Sequence, residues 1–148
     1  MLTLTKIQSE LKAPKNLTNK FGGYSYRSCE GILEAAKPIL AKYDATLIIS
    51  DDIISSGDRV YVKATATFKC KEGEASVTAF ARESASKKGM DESQITGAAS
   101  SYARKYCLNG LFLIEDSPDA DATNDHGKSK PKAKKTATAS TAVDEDLF

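Results

Sequence analysis

Arg104 and Lys105 stand side by side in the segment Ser101-Tyr102-Ala103-Arg104-Lys105. At 100° per residue Gln94, Gly97, Ser101, Arg104 and Lys105 fall on one side of a helix. A stripe that is small and polar, with two cations, lets a phosphate backbone come close and be held. The same stripe also describes a solvated helix face, the commoner use of an Arg-Lys pair. The preceding loop, Ser86-Lys87-Lys88-Gly89, adds two cations next to a helix N-terminus, where unpaired amides attract anions. A third set lies on strands. Alternation puts Tyr61, Lys63 and Lys69 on one face of a strand and Phe80 and Arg82 on the matching face of the next. Cations there would neutralise phosphates while rings stack on bases, or the face is an ordinary solvated one with cross-strand pairs.

Catalytic chemistry is poorly provided for. The single histidine, His126, sits in a stretch that reads as unfolded, so imidazole acid/base catalysis and multi-histidine metal sites are not expected. The cysteines Cys29, Cys70 and Cys107 are odd in number and widely spaced, which suits reduced packing residues better than a disulfide framework or a metal knuckle. A metal-dependent nuclease needs clustered carboxylates near a lysine. Asp51 and Asp52 are adjacent, but alternation sends them to opposite faces, and Glu34-Ala-Ala-Lys37 has no evident acidic partner. No phosphate loop of the G-x-x-x-x-G-K-[ST] type occurs. The expectation is a binding protein with no enzymatic activity, metal or cofactor.

The elements that must position these residues can be read from periodicity. Leu4, Ile7 and Leu11 have helical spacing before Pro14, and a loop centred on Gly22-Gly23 follows. Ser28 caps a helix carrying Ile32, Leu33, Ala36, Ile39 and Leu40, and Pro38 predicts a kink or an early end. Three strands are expected over residues 45–54, 59–70 and 75–82, joined by the turns Ser55-Ser56-Gly57 and Lys71-Glu72-Gly73. In the second, Val60, Val62, Ala64, Ala66, Phe68 and Cys70 take one face, and Ala75, Val77, Ala79 and Ala81 continue it in the third. A last helix starts at Asp91, with Gln94 at capping-box spacing, and is expected to stop near Asn109-Gly110. Its predicted core face is Ile95, Ala99, Tyr102, Ala103 and Tyr106. The fold class is α+β: a three-stranded antiparallel meander packed against a long helix, in the order α-β-β-β-α.

These residues also carry a family resemblance. The segment 88–106, KGMDESQITGAASSYARKY, followed by Leu111-Phe112, resembles the signature of the Erf (essential recombination function) family of phage single-strand annealing proteins. Phe21-Gly22-Gly23-Tyr24-Ser25-Tyr26-Arg27-Ser28 resembles that family's F-G-x-Y-x-Y-R-S motif. The likeness covers roughly residues 4 to 124, including Asp119-Ala120-Asp121-Ala122-Thr123. It implies a protein that coats single-stranded DNA and pairs complementary strands without ATP, as rings or filaments, with DNA in a groove between sheet and helix. Carried over by motif, it points to Arg104, Lys105, Ser101 and Tyr102, and to Tyr24, Tyr26 and Arg27. Lys63 and Lys69 belong to neither motif.

Charge and composition divide the chain. Residues 1–115 carry 16 basic and 13 acidic side chains, the remainder 5 and 7. Residues 1–116 are expected to form the annealing domain. Residues 117–143 lack aromatic residues, Leu, Ile and Met, and read as a disordered linker. Its run Lys128, Lys130, Lys132, Lys134 and Lys135 suits weak attraction to DNA or simple solubility. Asp144, Glu145, Asp146, Leu147 and Phe148 read as a docking peptide, similar to the acidic, Phe-terminated tip of bacterial single-strand DNA-binding proteins but without the usual Pro before Phe. That likeness implies host DNA-processing partners. No apolar run reaches the roughly 18 to 20 residues of a membrane span, and no signal peptide is evident, so a cytoplasmic protein is expected. Two rivals remain: an adaptor acting through its tip, and a protein that coats strands without annealing them. If a chain truncated after Asp116 anneals complementary oligonucleotides as well as the full chain does, the tail is accessory. Binding lost by both chains, with the terminal peptide still capturing a host protein, would select the adaptor.

Overall fold

A computed structural model describes residues 1–115. The linker and docking-peptide readings of 117–143 and 144–148 lie outside them. Met1–Asp116 forms one compact unit. Its elements are α1 (Leu2–Glu10), β1 (Leu17–Asn19), β2 (Tyr24–Tyr26), α2 (Cys29–Lys42), β3 (Thr46–Ser56), β4 (Arg59–Cys70), β5 (Gly73–Arg82) and α3 (Glu92–Phe112). The expected α+β fold is present, with an antiparallel sheet in the order β3-β4-β5.

The sheet follows from local chemistry. Ser56 pairs with Arg59 and Cys70 with Gly73, which leaves two-residue turns at Gly57-Asp58 and Lys71-Glu72. Gly57 has φ of 62°, the left-handed backbone such a turn requires. The alternation of β4 holds throughout: Val62, Ala64, Ala66 and Phe68 are buried, and the residues between them are not. The three helices supply the rest of the core. Ile7 and Leu11 come from the N-terminal segment, Ile32 and Ala36 from α2, and Ala99, Ala103, Cys107, Leu108, Leu111 and Phe112 from α3.

The helices are tied at their ends. The Glu72 carboxylate accepts from the amides of Leu2 at 3.1 Å and Thr3 at 2.8 Å, so the β4–β5 turn caps α1. Glu10 accepts from Lys42 Nζ at 2.6 Å and Tyr43 Oη at 2.7 Å, joining the far ends of α1 and α2. Ser28 caps α2 by accepting from Gly31 N at 2.9 Å.

Four expectations need correction. First, α2 does not end early at Pro38 but continues to Lys42. Pro38 is exposed, so the carbonyl of Glu34, which lacks its helical donor, faces the solvent side and can be hydrated there. Second, α3 does not stop at Asn109-Gly110 but runs to Phe112, and Leu113 takes the left-handed cap with φ 57°. Its amide and that of Ile114 both donate to Asn109 O. Gly110 serves close packing instead: a Cβ there would lie 3.1 Å from Val77 Cγ1. Third, Tyr102 and Tyr106 are not core residues; they are 54% and 47% exposed. The buried stripe runs Ile95, Ala99, Ala103, Cys107 and Leu111 at intervals of four. Fourth, the segment around Gly22-Gly23 is a hairpin, β1 pairing with β2, rather than a plain loop.

Phe68 is fully buried at the centre of this core, whereas Phe80 is half-exposed on the outer face. Phe68→Ala is expected to lower unfolding stability by about 3–5 kcal/mol. Phe80→Ala is expected to cost less than about 1 kcal/mol. Urea titration of the two variants checks the assignment of faces.

Candidate nucleic-acid interface

The position of α3 determines which cations meet. Asp91 and Gln94 form the expected capping box, Gln94 N donating to Asp91 Oδ1 at 2.8 Å and Asp91 N to Gln94 Oε1 at 3.0 Å. With Ala99 and Ala103 turned into the core, Ser101 and Lys105 lie on a flank of the helix. The end of β2 and the start of α2 lie against that flank. Together they line an open pocket of about 390 Å³ with Tyr26, Arg27, Ser28, Cys29 and Glu30 from one side and Ala98, Ser101, Tyr102 and Lys105 from the other. The two sequence motifs, some 75 residues apart in the chain, thus build one surface.

Lys105 is its centre. The ammonium is 5.7 Å from the centroid of Tyr26 and 5.7 Å from that of Tyr102, and it donates to Arg27 O at 3.3 Å. Each ring face attracts the cation, an effect of about 0.5–1 kcal/mol at exposed sites. The rings extend the surface in both directions. Tyr24 meets Tyr26 edge-on with centroids 6.3 Å apart, and Tyr106 lies 6.1 Å from Tyr102. Tyr24 is itself held, its Oη accepting from Asn19 Nδ2 at 2.9 Å. Its ring lies over Gly22, where a Cβ would approach within 2.3 Å of the ring edge. A second hollow, of about 90 Å³, is lined by Arg82, Ser84, Lys87, Met90, Ile95, Ala98, Ala99 and Tyr102. Tyr102 and Ala98 line both, so the two hollows adjoin and bring Arg82 and Lys87 to the same side as Lys105.

Arg104 turns elsewhere, and the single stripe expected from the helical wheel divides. Its Nη2 lies 3.1 Å from Asp51 Oδ2, and its Nε lies 3.2 Å from each Asp51 oxygen. Ser100 Oγ donates to Asp51 Oδ2 at 2.5 Å. Partial burial opposes the ionised form of Asp51, yet the hydrogen bonds from Arg104 and Ser100, with the Arg104 charge, outweigh it and hold this carboxyl below its ordinary value. The same hydrogen bond raises Arg104. Arg27 is also engaged: its Nε donates to Ala13 O and its Nη1 to Glu115 O at 2.9 Å. It clips the segment before β1 to the segment after α3.

Lys63, Lys69 and Lys88 line neither hollow. On the outer face of the sheet Lys63 stands opposite Asp52, and Lys69 opposite Glu74. Each of these two strand cations thus has an acid as its cross-strand neighbour, which breaks up a continuous positive track. The three cysteines are free thiols; burial pushes Cys107 up to about 11. Among the described residues no group of three or more His, Cys, Asp and Glu could hold a metal ion, and no helix is long and apolar enough to cross a membrane.

Sequence reasoning did not assign Asp51, Ser100, Glu30 or Tyr106 to this surface. The spacing of Ser100 and Arg104, four apart, was a usable signal for a shared partner; that the partner is Asp51 depends on a contact 49 and 53 residues away along the chain.

The family profile described as ERF superfamily matches residues 2–146. The chain is 56% identical over 137 residues to the "Essential recombination function protein" of Salmonella phage P22, an alignment covering 93% of this chain and 65% of that relative. The chain therefore spans just under two thirds of that relative's length. No solved structure matches it. On the family match over nearly its whole length, and on an identity that includes most of the folded unit, the chain belongs to the ERF superfamily.

Proposed function

We propose that this chain acts in phage recombination by holding single-stranded DNA along the cleft between β2 and α3 and pairing it with a complementary strand. The observation that carries this reading is Lys105 set between Tyr26 and Tyr102 in a pocket made by both motifs. The name of the phage P22 relative, an essential recombination function protein, supports the recombination role.

Annealing requires no bond to be made or broken by the protein. Repulsion between two phosphate backbones must be screened while the pairing edges of the bases stay open. Lysine and arginine contacts to phosphate do the first, and base-specific hydrogen bonds would obstruct the second. Tyrosine rings are compatible with both, because stacking uses the face of a base and leaves its edge free. Tyr24, Tyr102 and Tyr106, each about half-exposed, present such faces. Lys105, Arg82 and Lys87 would follow the backbone, with Arg104 on the other flank. Ser101 adds a hydroxyl, and Arg27 positions the β2 end by its two carbonyl contacts. Base pairing supplies the favourable free energy, so no ATP is needed.

A folded unit with 16 basic and 13 acidic side chains holds a strand weakly by itself. Repetition of the groove in a homo-oligomeric ring or filament would bring linked sites and hence avidity without new contacts. Capture of host DNA-processing proteins by the terminal Asp-Glu-Asp-Leu-Phe peptide would be a separate activity.

If each protomer neutralises about 4 phosphates, log affinity falls with log salt at a slope of about −3 per protomer. Lys105→Ala is expected to reduce that slope by about 0.7, and Arg104→Ala by less, because its guanidinium already faces the Asp51 carboxylate. Lys63→Ala is expected to leave it unchanged. Fluorescence anisotropy across a salt series reads all three, and an unaltered slope in folded Lys105→Ala would remove Lys105 from the contacts. Mixing two complementary labelled oligonucleotides at fixed salt separates an annealer from a coating protein. Tyr102→Ala is expected to slow that reaction several-fold while the fold, followed by circular dichroism, is retained.

A further inference from the structure

Asp51 is the middle residue of β3, on the face that α3 covers. It is a partly buried acid set against a residue whose motif points to DNA, where a carboxylate would repel a strand. Its geometry is specific. Both oxygens face the Nε and Nη2 edge of Arg104, at 3.1–3.2 Å, and Ser100 Oγ adds a third donor one helical turn earlier. A phosphate also offers two oxygens to that edge of a guanidinium. The carboxylate therefore occupies, in the free protein, the position that suits a backbone phosphate. The side chains remain reachable, at 39% exposure for Arg104 and 25% for Asp51, so the pair is open to exchange of partners rather than sealed in the core.

We propose that Asp51 is a positioning residue that holds the Nε and Nη2 edge of Arg104 in the absence of DNA, yields it to a phosphate when a strand arrives, and so limits how tightly the strand is held. This rests on the reading of Arg104 as a phosphate contact. The consequence for annealing is direct. A strand gripped too firmly does not adjust its register against its complement, and a duplex gripped firmly is not released. An internal competitor returns each phosphate contact to a near-balanced exchange. Asp51 also takes up a cation when its partner leaves, which lowers the net number of ions set free on binding.

The test compares two substitutions that change net charge equally. Asp51→Asn removes the competitor, whereas Asp52→Asn, the adjacent residue, lies on the outer face opposite Lys63. Asp51→Asn is expected to bind a single-stranded oligonucleotide about two- to fivefold more tightly, the range by which partly exposed ion pairs shift equilibria. It is also expected to show a steeper salt slope and slower release of annealed duplex. Asp52→Asn is expected to match the wild type. Equal tightening in both variants would mean that only net charge matters, and weaker binding in Asp51→Asn would mean that the carboxylate aids the strand; each overturns the proposal. Asp51→Ala serves as a second neutral variant, with thermal unfolding measured for each. If neither folds, the pair is a contact that maintains the fold and the proposal fails. A wild-type chain that binds no oligonucleotide at any salt removes the parent reading. Wild-type binding with Asp51→Asn unchanged removes only the role given to Asp51.

Discussion

The closeness of α3 to the sheet is the constraint on which the other features depend. The middle of the inner face is built from Ala64, Ala66 and Ala79, and the helix answers with Ala99, Ala103 and Gly110. Small residues on both sides bring the backbone of α3 near the strands, much as methyl-sized contacts do wherever two elements must approach closely. Larger side chains flank this alanine centre, Ile49 and Val77 on either side of Ala66 and Phe68 two residues further along β4. A helix seated this deeply can bury only a narrow stripe. Its flanks stay accessible, and that is why bulky Tyr102 and Tyr106 and charged Lys105 are found there rather than in the core or far from any neighbour.

What could be read from sequence followed the strength of local signals. The unbroken alternation from Val60 to Cys70 specified both faces of β4, because one face is buried and a one-residue slip would reverse every side chain. Ser28 and Asp91 marked the starts of α2 and α3, since caps depend on residues within the same turn. The end of α3 was misread because Gly110 has two possible uses, a stop or a close approach, and only the presence of Val77 decides between them. The β1–β2 hairpin escaped notice because strands of three residues carry no period to detect. Type and angle place Tyr106 inward and leave Tyr102 open between core and binding surface, because both sit at the margins of a stripe whose width depends on the partner surface. For the site, the motif residues Tyr26, Arg27, Ser101, Tyr102 and Lys105 do converge. The engagement of Arg104 by Asp51 was not legible, being a pairing between elements distant in sequence.

Near-neutral composition proved a poor guide to where charge acts. Lys63 and Lys69 face acids across the strands, Lys37 meets Glu34 at 2.5 Å, and Lys42 meets Glu10. Lys105 is set against aromatic faces and a carbonyl, in a pocket that Glu30 also lines. The ring faces attract the ammonium and orient it toward that pocket. The local arrangement, rather than the count, distinguishes this surface from the rest of the unit.

The hairpin that carries Tyr24 and Tyr26 has little core of its own. Its tip residue Phe21 is fully exposed, and its strands are short. It is moored from its base, where the Arg27 guanidinium reaches main-chain oxygens on both Ala13 and Glu115. One wall of the aromatic cleft thus hangs like a gatepost from the Arg27 guanidinium and from Lys105, which donates to Arg27 O, while the opposite wall is α3 itself. Whatever shifts those hinges alters the width of the opening between Tyr26 and Tyr102.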